Sequence, residues 1–203
     1  GFRRSAHVAL ACDRSLAVIP ASEHKTCSDY VQETIPFLNY RIQQFVIACM
    51  AARGNSVVPA KYSLRPETFP QCLPYVWIYE YDHERRDYIC RLAGEKAQNA
   101  MNRRMVGLGL IDVVAPEHYH LTMTRWRQAS ETPACAYGAY ELTDIYGNTG
   151  RSERLFMPLE SRDGSRNFMA GISVYTVGES DDQPPPLPEG EVEFFPLAMF
   201  PAS

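Results

Sequence analysis

The chain has 203 residues, 45% of them hydrophobic, enough for one compact domain with extensions and a core that needs neither metal nor disulfides. Lys+Arg 20 against Asp+Glu 24 gives a formal net charge of -4, so no basic field recruits nucleic acid or anionic lipid. The six cysteines (Cys12, Cys27, Cys49, Cys72, Cys90, Cys135) form no C-x-x-C pair and no dense framework, which points to reduced thiols in a cytoplasmic protein.

No apolar run approaches the roughly 20 residues of a bilayer span. The opening GFRRSAHVALAC sets basic residues before a short apolar segment, but Asp13-Arg14 interrupts it too early for a signal sequence. Residues 1–27 show neither helical nor strand periodicity and read as a flexible N-terminal arm. From Phe37 the pattern sharpens: Leu38, Ile42, Phe45, Cys49 and Ala52 form one apolar stripe, widened by Val46 and Met50. Pro36 suits a first helical position, and Arg53-Gly54-Asn55 supplies a cationic last turn and a stop, so an amphipathic helix is expected over Phe37 to Arg53.

Four prolines in VVPAKYSLRPETFPQCLP mark an extended connection. Tyr75 to Tyr81 and Tyr88 to Leu92, rich in aromatic and β-branched residues, read as a hairpin around DHERRD. At Ala93-Gly94 the strand gives way to a polar, Ala-rich helical insert carrying Met101 and Met105, with Gly94 expected to permit the bend. Pro116-Glu117 opens a further helix with Tyr119, Met123 and Trp126 on one face. Three strands are expected next: ACAYGAYELTDI, then RSERLFMPL after the turn YGNTG, then FMAGISVYTV after the turn SRDGSRN. Leu155, Met157 and Leu159 alternate with Arg154 and Phe156, and Pro158 must sit at a strand end or opposite a gap. The tail over 178–203 begins as an acidic, Pro-rich linker and ends in VEFFPLAMF, whose Phe194, Phe195, Leu197 and Phe200 should dock on the same domain or on a neighbouring subunit.

The candidate chemistry is sparse. The GLGL at Gly107 lacks the third glycine of a phosphate loop. His118 and His120 stand two apart on a helix and point to opposite sides, so at most one faces inward; solvated histidines are favoured over metal ligands, with a haem ligand as a minority reading. Cys90 and Cys135 lie in strands without a neighbouring histidine and read as core thiols rather than nucleophiles. Glu80, Asp82, Glu84 and Asp87 read as a solvated hairpin tip. Adaptable apolar matter stands out instead: Met101, Met105, Met123 and Trp126 in the helical parts are placed to face Trp77, Tyr79, Tyr88, Cys90, Phe156 and Met157 in the strands, an expectation from composition and order alone. Such a lining suits a small apolar ligand, and it equally suits an ordinary filled core.

The stretches FLNYRIQQFVIACMAARGNSVVP, QCLPYVWIYE, YICRLAGEK, MVGLGLIDVVAPE and RLFMPLESRDG, in this order, resemble an alphaproteobacterial family of PAS-type domains over roughly Phe37 to Val177. The departures are Asn102, where the family often has Gly, and Val106, where it often has Thr. The resemblance implies an α+β fold, a five-stranded antiparallel sheet with a helical insert and an N-terminal amphipathic helix, occupying 28–177. It also implies a stand-alone sensory module that signals through a separate protein or a second copy. The expectation is then a cytoplasmic, non-enzymatic module without cofactor or metal, homodimeric through the Phe37 to Arg53 helix. The alternatives are an interaction adaptor with a filled core and, third, a haem- or flavin-binding sensor.

Overall fold

Stretches rich in β-branched and aromatic residues become β1 (Val76–Asp82), β2 (Asp87–Ala93), β3 (Ala134–Thr143), β4 (Thr149–Leu159) and β5 (Phe168–Val177). The computed structural model describes residues 25–35, 39–143, 149–177 and 191–201. The expected arm before residue 25, the start of the expected helix at 36–38, most of the YGNTG turn and the Pro-rich linker over 178–190 lie outside the described residues. Two strands, a helical insert and three strands follow one another as a PAS-type arrangement requires, and every neighbouring pair is antiparallel.

The sheet has six strands rather than five, in the order β2-β1-β5-β4-β3-β6. The extra strand, β6 (Glu193–Pro196), comes from the apolar tail, which pairs Phe195 with Cys135 and Phe194 with Ala136. Of the two docking places expected for the tail, its own domain is the one used. Pairing there covers the edge that β3 would otherwise expose. Pro158 pairs with Met169 of β5, while the β3 ladder ends at Ala136 and Phe156, so the missing N–H faces a gap as expected.

One face of the sheet is covered by α1 (Cys27–Thr34) and α2 (Tyr40–Ala51). The first of these stands where an arm was expected to end. Eight residues are too few to show a periodic stripe, but Thr26 and Asp29 cap each other's backbone N–H groups, a local signal in the sequence TCSD. In α2 the expected stripe is present: Ile42, Phe45, Val46, Cys49 and Met50 are buried against Leu155, Met157, Leu159 and Ile172 of the sheet. Arg53 is not a solvated last-turn cation. It is buried, and its guanidinium donates to the carbonyls of Leu197 (2.8 Å) and Phe200 (2.9 Å), tying the tail to the end of the helix layer.

The other face carries the insert: α3 (Glu95–Ala100), α4 (Leu110–Val113) and α5 (Pro116–Glu131). Gly94 has φ -67°, which any residue adopts, so backbone freedom is not why glycine stands there. A Cβ would lie 2.1 Å from the Leu73 carbonyl oxygen and 2.4 Å from the Pro74 carbonyl carbon; close backbone approach demands the glycine. Asn102 lies at φ 48°, the left-handed region that Asn tolerates best after Gly, so the turn needs no glycine there. Beyond it, Gly107 N–H donates to the Cys90 carbonyl (2.8 Å) and Cys90 N–H to the Leu108 carbonyl (2.9 Å), which stitches the insert to β2.

Candidate functional site

Side chains alternate along each strand, so the insert face of the sheet presents Trp77 and Tyr79 from β1, Arg154 and Phe156 from β4, Ser173 and Tyr175 from β5, and Tyr140 from β3. Above this floor stand Ala97, Met101 and Met105 around α3, Leu110 and Val113 of α4, and Thr122, Arg125 and Trp126 of α5. Between floor and roof lies a partly enclosed cavity of about 90 Å³, with Val192 of the tail at its wall. Trp126 is its aromatic hub: its ring is stacked on Trp77 (5.3 Å, 17°) and meets Tyr79 at 5.2 Å, Tyr88 at 4.9 Å and Phe156 at 6.2 Å.

Of the ten residues singled out in the sequence, the structure places Trp77, Tyr79, Met101, Met105, Trp126 and Phe156 at this cavity. Tyr88 packs edge-on against Trp126 and, with Met123, borders a different surface depression. Cys90 is buried in the same cluster, its thiol donating to the Leu92 carbonyl (3.4 Å). Met157 belongs to the opposite core, among Ile42, Phe45 and Leu155. Its neighbour Phe156 faces the insert, so the period of two sends Met157 to the other side of the sheet.

The polar lining was not among the residues singled out. Ser173 is buried, and its Oγ accepts from Trp77 Nε1 (3.0 Å) and Arg154 Nε (3.2 Å). Tyr140 donates its hydroxyl proton to the Glu191 carbonyl at 2.8 Å, joining the cavity to the tail. Burial pushes the Tyr140 hydroxyl up, while the guanidinium groups of Arg154 and Arg125 pull it back. Burial likewise pushes the Tyr79 hydroxyl well above its usual range. Alternation carried the signal for Arg154, which shares a face with Phe156; Ser173 and Tyr140 depended on strand pairing that no local pattern displays.

Asp87 corrects the reading of the hairpin tip. Asp82 caps the turn through Glu84 N–H (2.9 Å) and Arg85 N–H (3.0 Å), as a tip residue should. Asp87 instead is buried, accepting from Tyr88 N–H (2.8 Å), Ile111 N–H (3.3 Å) and the Tyr119 hydroxyl (3.2 Å). One carboxylate thus fastens β2, α4 and α5 together at the mouth of the insert.

His83, His118 and His120 are all exposed, so neither histidine of α5 reaches the cavity. Burial raises the Cys90 thiol to about 11 and the Cys135 thiol to about 12, so both stay protonated and unreactive at neutral pH. Among the described residues no group of three or more His, Cys, Asp or Glu is arranged to hold a metal ion. A cavity of about 90 Å³ lies well below the ~300–1,000 Å³ usual for drug-sized ligands, and its lining contains no histidine. A flavin or porphyrin ring does not fit these residues as they stand.

No family model matches the chain, and no curated protein matches it significantly. Among solved structures the chain is similar to the PAS domain of a protein from Colwellia psychrerythraea, at 12% identity and a TM-score of 0.37, covering 53% of this chain and 93% of that one. It is also similar to a sensory box sensor histidine kinase from Vibrio cholerae (13% identity, TM-score 0.36, 50% and 77% covered). A LOV protein from Rhodobacter sphaeroides is similar at 10% identity and a TM-score of 0.38, with 69% and 70% covered.

Proposed function

We propose that this chain is a PAS-type sensory module that holds a small, largely apolar ligand between sheet and insert and passes occupancy to a partner through its C-terminal segment. One observation carries the reading: the aromatic-lined cavity of about 90 Å³ has Val192 in its wall, and the adjoining Glu191 carbonyl is held by the cavity residue Tyr140. A ligand that moves Tyr140 or presses on Val192 acts directly on the docking of β6. Signalling then requires that the ligand bind the docked and undocked states with different affinity. The far end of the same segment is clamped by Arg53, so the tail reports on both layers of the domain.

In this reading the module is cytoplasmic and not catalytic, and its partner is a separate signalling protein or a second copy. The five described cysteines are free thiols, and no described helix is long and apolar enough to cross a membrane. Homodimerisation through the leading helix uses its outer side, where Tyr40 is 57% exposed, because the inner stripe is occupied by the sheet. The competing reading is an adaptor with a filled core, favoured by the stacked Trp77–Trp126 pair that already occupies much of the space.

The deciding experiment is denaturing extraction of the purified protein followed by mass spectrometry, with a crystal structure of the same preparation. A small molecule near one per chain is expected, and Ala97→Trp, which fills the cavity from α3, removes it. An extract without such a molecule and a solid, undisturbed aromatic core in the crystal return the chain to the adaptor reading.

A further inference from the structure

The cavity has a chemical polarity that its apolar lining conceals. At one end, where Trp77 and Phe156 both stand across from Gly171, the lining offers ring faces, with Trp77 Nε1 turned to Ser173. At the other, where β3, β4 and β5 run side by side, Arg154 stands across from Gly138 on one side and Ser173 on the other. The Ser173 oxygen accepts two hydrogen bonds, from Trp77 Nε1 and Arg154 Nε, which uses both its acceptor positions and leaves its own O–H to donate. The terminal nitrogens of Arg154 have no carboxylate or carbonyl partner among the described residues, although the guanidinium is half-buried and lines the cavity. Arg125 lines the same cavity, and its guanidinium, like that of Arg154, pulls the Tyr140 hydroxyl down.

We infer that the ligand of this cavity is a short organic acid, its carboxylate held by Arg154 and Ser173 and its apolar body lying against Trp77 and Phe156. The inference rests on the small-molecule reading proposed above and names the chemical class of the occupant. The terminal edge of a planar guanidinium, with its two parallel N–H groups, matches a carboxylate bidentately. A wholly apolar occupant would strip water from those donors and return nothing, which costs free energy. The volume of about 90 Å³ limits the body to a few carbons, and a single ring, which needs a cavity of ~150 Å³, enters only where the Met101 and Met105 side chains give way.

Calorimetric titration of the purified full chain with matched pairs, butyrate against butyramide and benzoate against benzamide, tests this. At neutral pH the acid of at least one pair is expected to bind about tenfold or more tighter than its amide, a margin that shrinks with added salt. Arg154→Met is expected to weaken the acid far more than the amide and bring the pair within about twofold, and Arg154→Lys to restore part of the preference. Should Arg154→Met fail to fold, the wild-type acid-to-amide ratio alone decides. Amides binding as tightly as acids, or an acid preference that survives Arg154→Met, overturns the acid assignment and leaves the cavity reading standing. Failure of all four probes to bind overturns the acid assignment, and denaturing extraction decides the cavity reading independently.

Discussion

On the α1–α2 face of the sheet, Phe45, Leu155, Met157, Leu159 and Ile172 have 0% exposure and interlock as a closed core. On the insert face, Trp77, Trp126 and Phe156 surround a space of about 90 Å³ that ends in Arg154 and Ser173. The same strands serve both faces, so the difference lies in the partner layer rather than in the sheet. α2 presents a continuous stripe that packs flush, whereas on the insert face two short helices, α3 and α4, joined through turns at Asn102 and Gly107, lie beside α5 and leave a gap over the aromatic floor. The contrast assigns stability to one side and adaptability to the other.

The sharpest way to break that contrast is to truncate each side. Phe45→Ala removes a fully buried ring that meets Phe69 edge-on at 6.0 Å, and is expected to cost about 3–5 kcal/mol in denaturant unfolding. A cost under ~1 kcal/mol would mean that the helix layer is not the stabilising one.

A matched pair comes next. Met157→Ala on the closed side is expected to cost about 4 kcal/mol, and Met105→Ala at the cavity about 2 kcal/mol, because Met105 already borders empty space and has fewer contacts to lose. Equal costs would show that the two faces are packed alike, whatever the static geometry.

The smallest effect expected is on thiol ionisation. Burial raises Cys135, on the closed side, to about 12 and Cys90, on the insert side, to about 11, from an ordinary 9.0. Between those values the unfolded chain releases protons that the folded chain keeps, so folding stability is intact below pH ~9 and declines as pH rises toward 11–12. Alkylation monitored by mass spectrometry should label Cys90 at lower pH than Cys135; the reverse order would contradict the assignment of the tighter layer.

Much of the architecture was legible because it is written in short periods. The α2 stripe, the hairpin, the three later strands and the helix opening at Pro116 each repeat at 3.6 or 2 residues within one segment. Six of ten expected cavity residues line it, and Met157 was named beside Phe156 although the alternation read along the same strand sets the two on opposite faces. α1 escaped for want of length, though its capping residues were visible.

Other roles have no local signature. Arg53 reads as a helix-ending cation until the tail folds back over it, and Asp87 reads as a turn residue until α4 and α5 bring Ile111 and Tyr119 to its oxygens. Gly94 is explained by atoms of Leu73 and Pro74, which are some twenty residues upstream. The sequence by itself determined which segments are strands and helices and which side of each is apolar, since those follow from propensity and periodicity between near neighbours. Only the tertiary structure decided that the tail completes the sheet, that Arg53 and Asp87 are buried, and that Arg154 and Ser173 share one end of a cavity. Those outcomes depend on contacts between residues 19 to 147 positions apart, and a chain that has not yet packed has no means of displaying them.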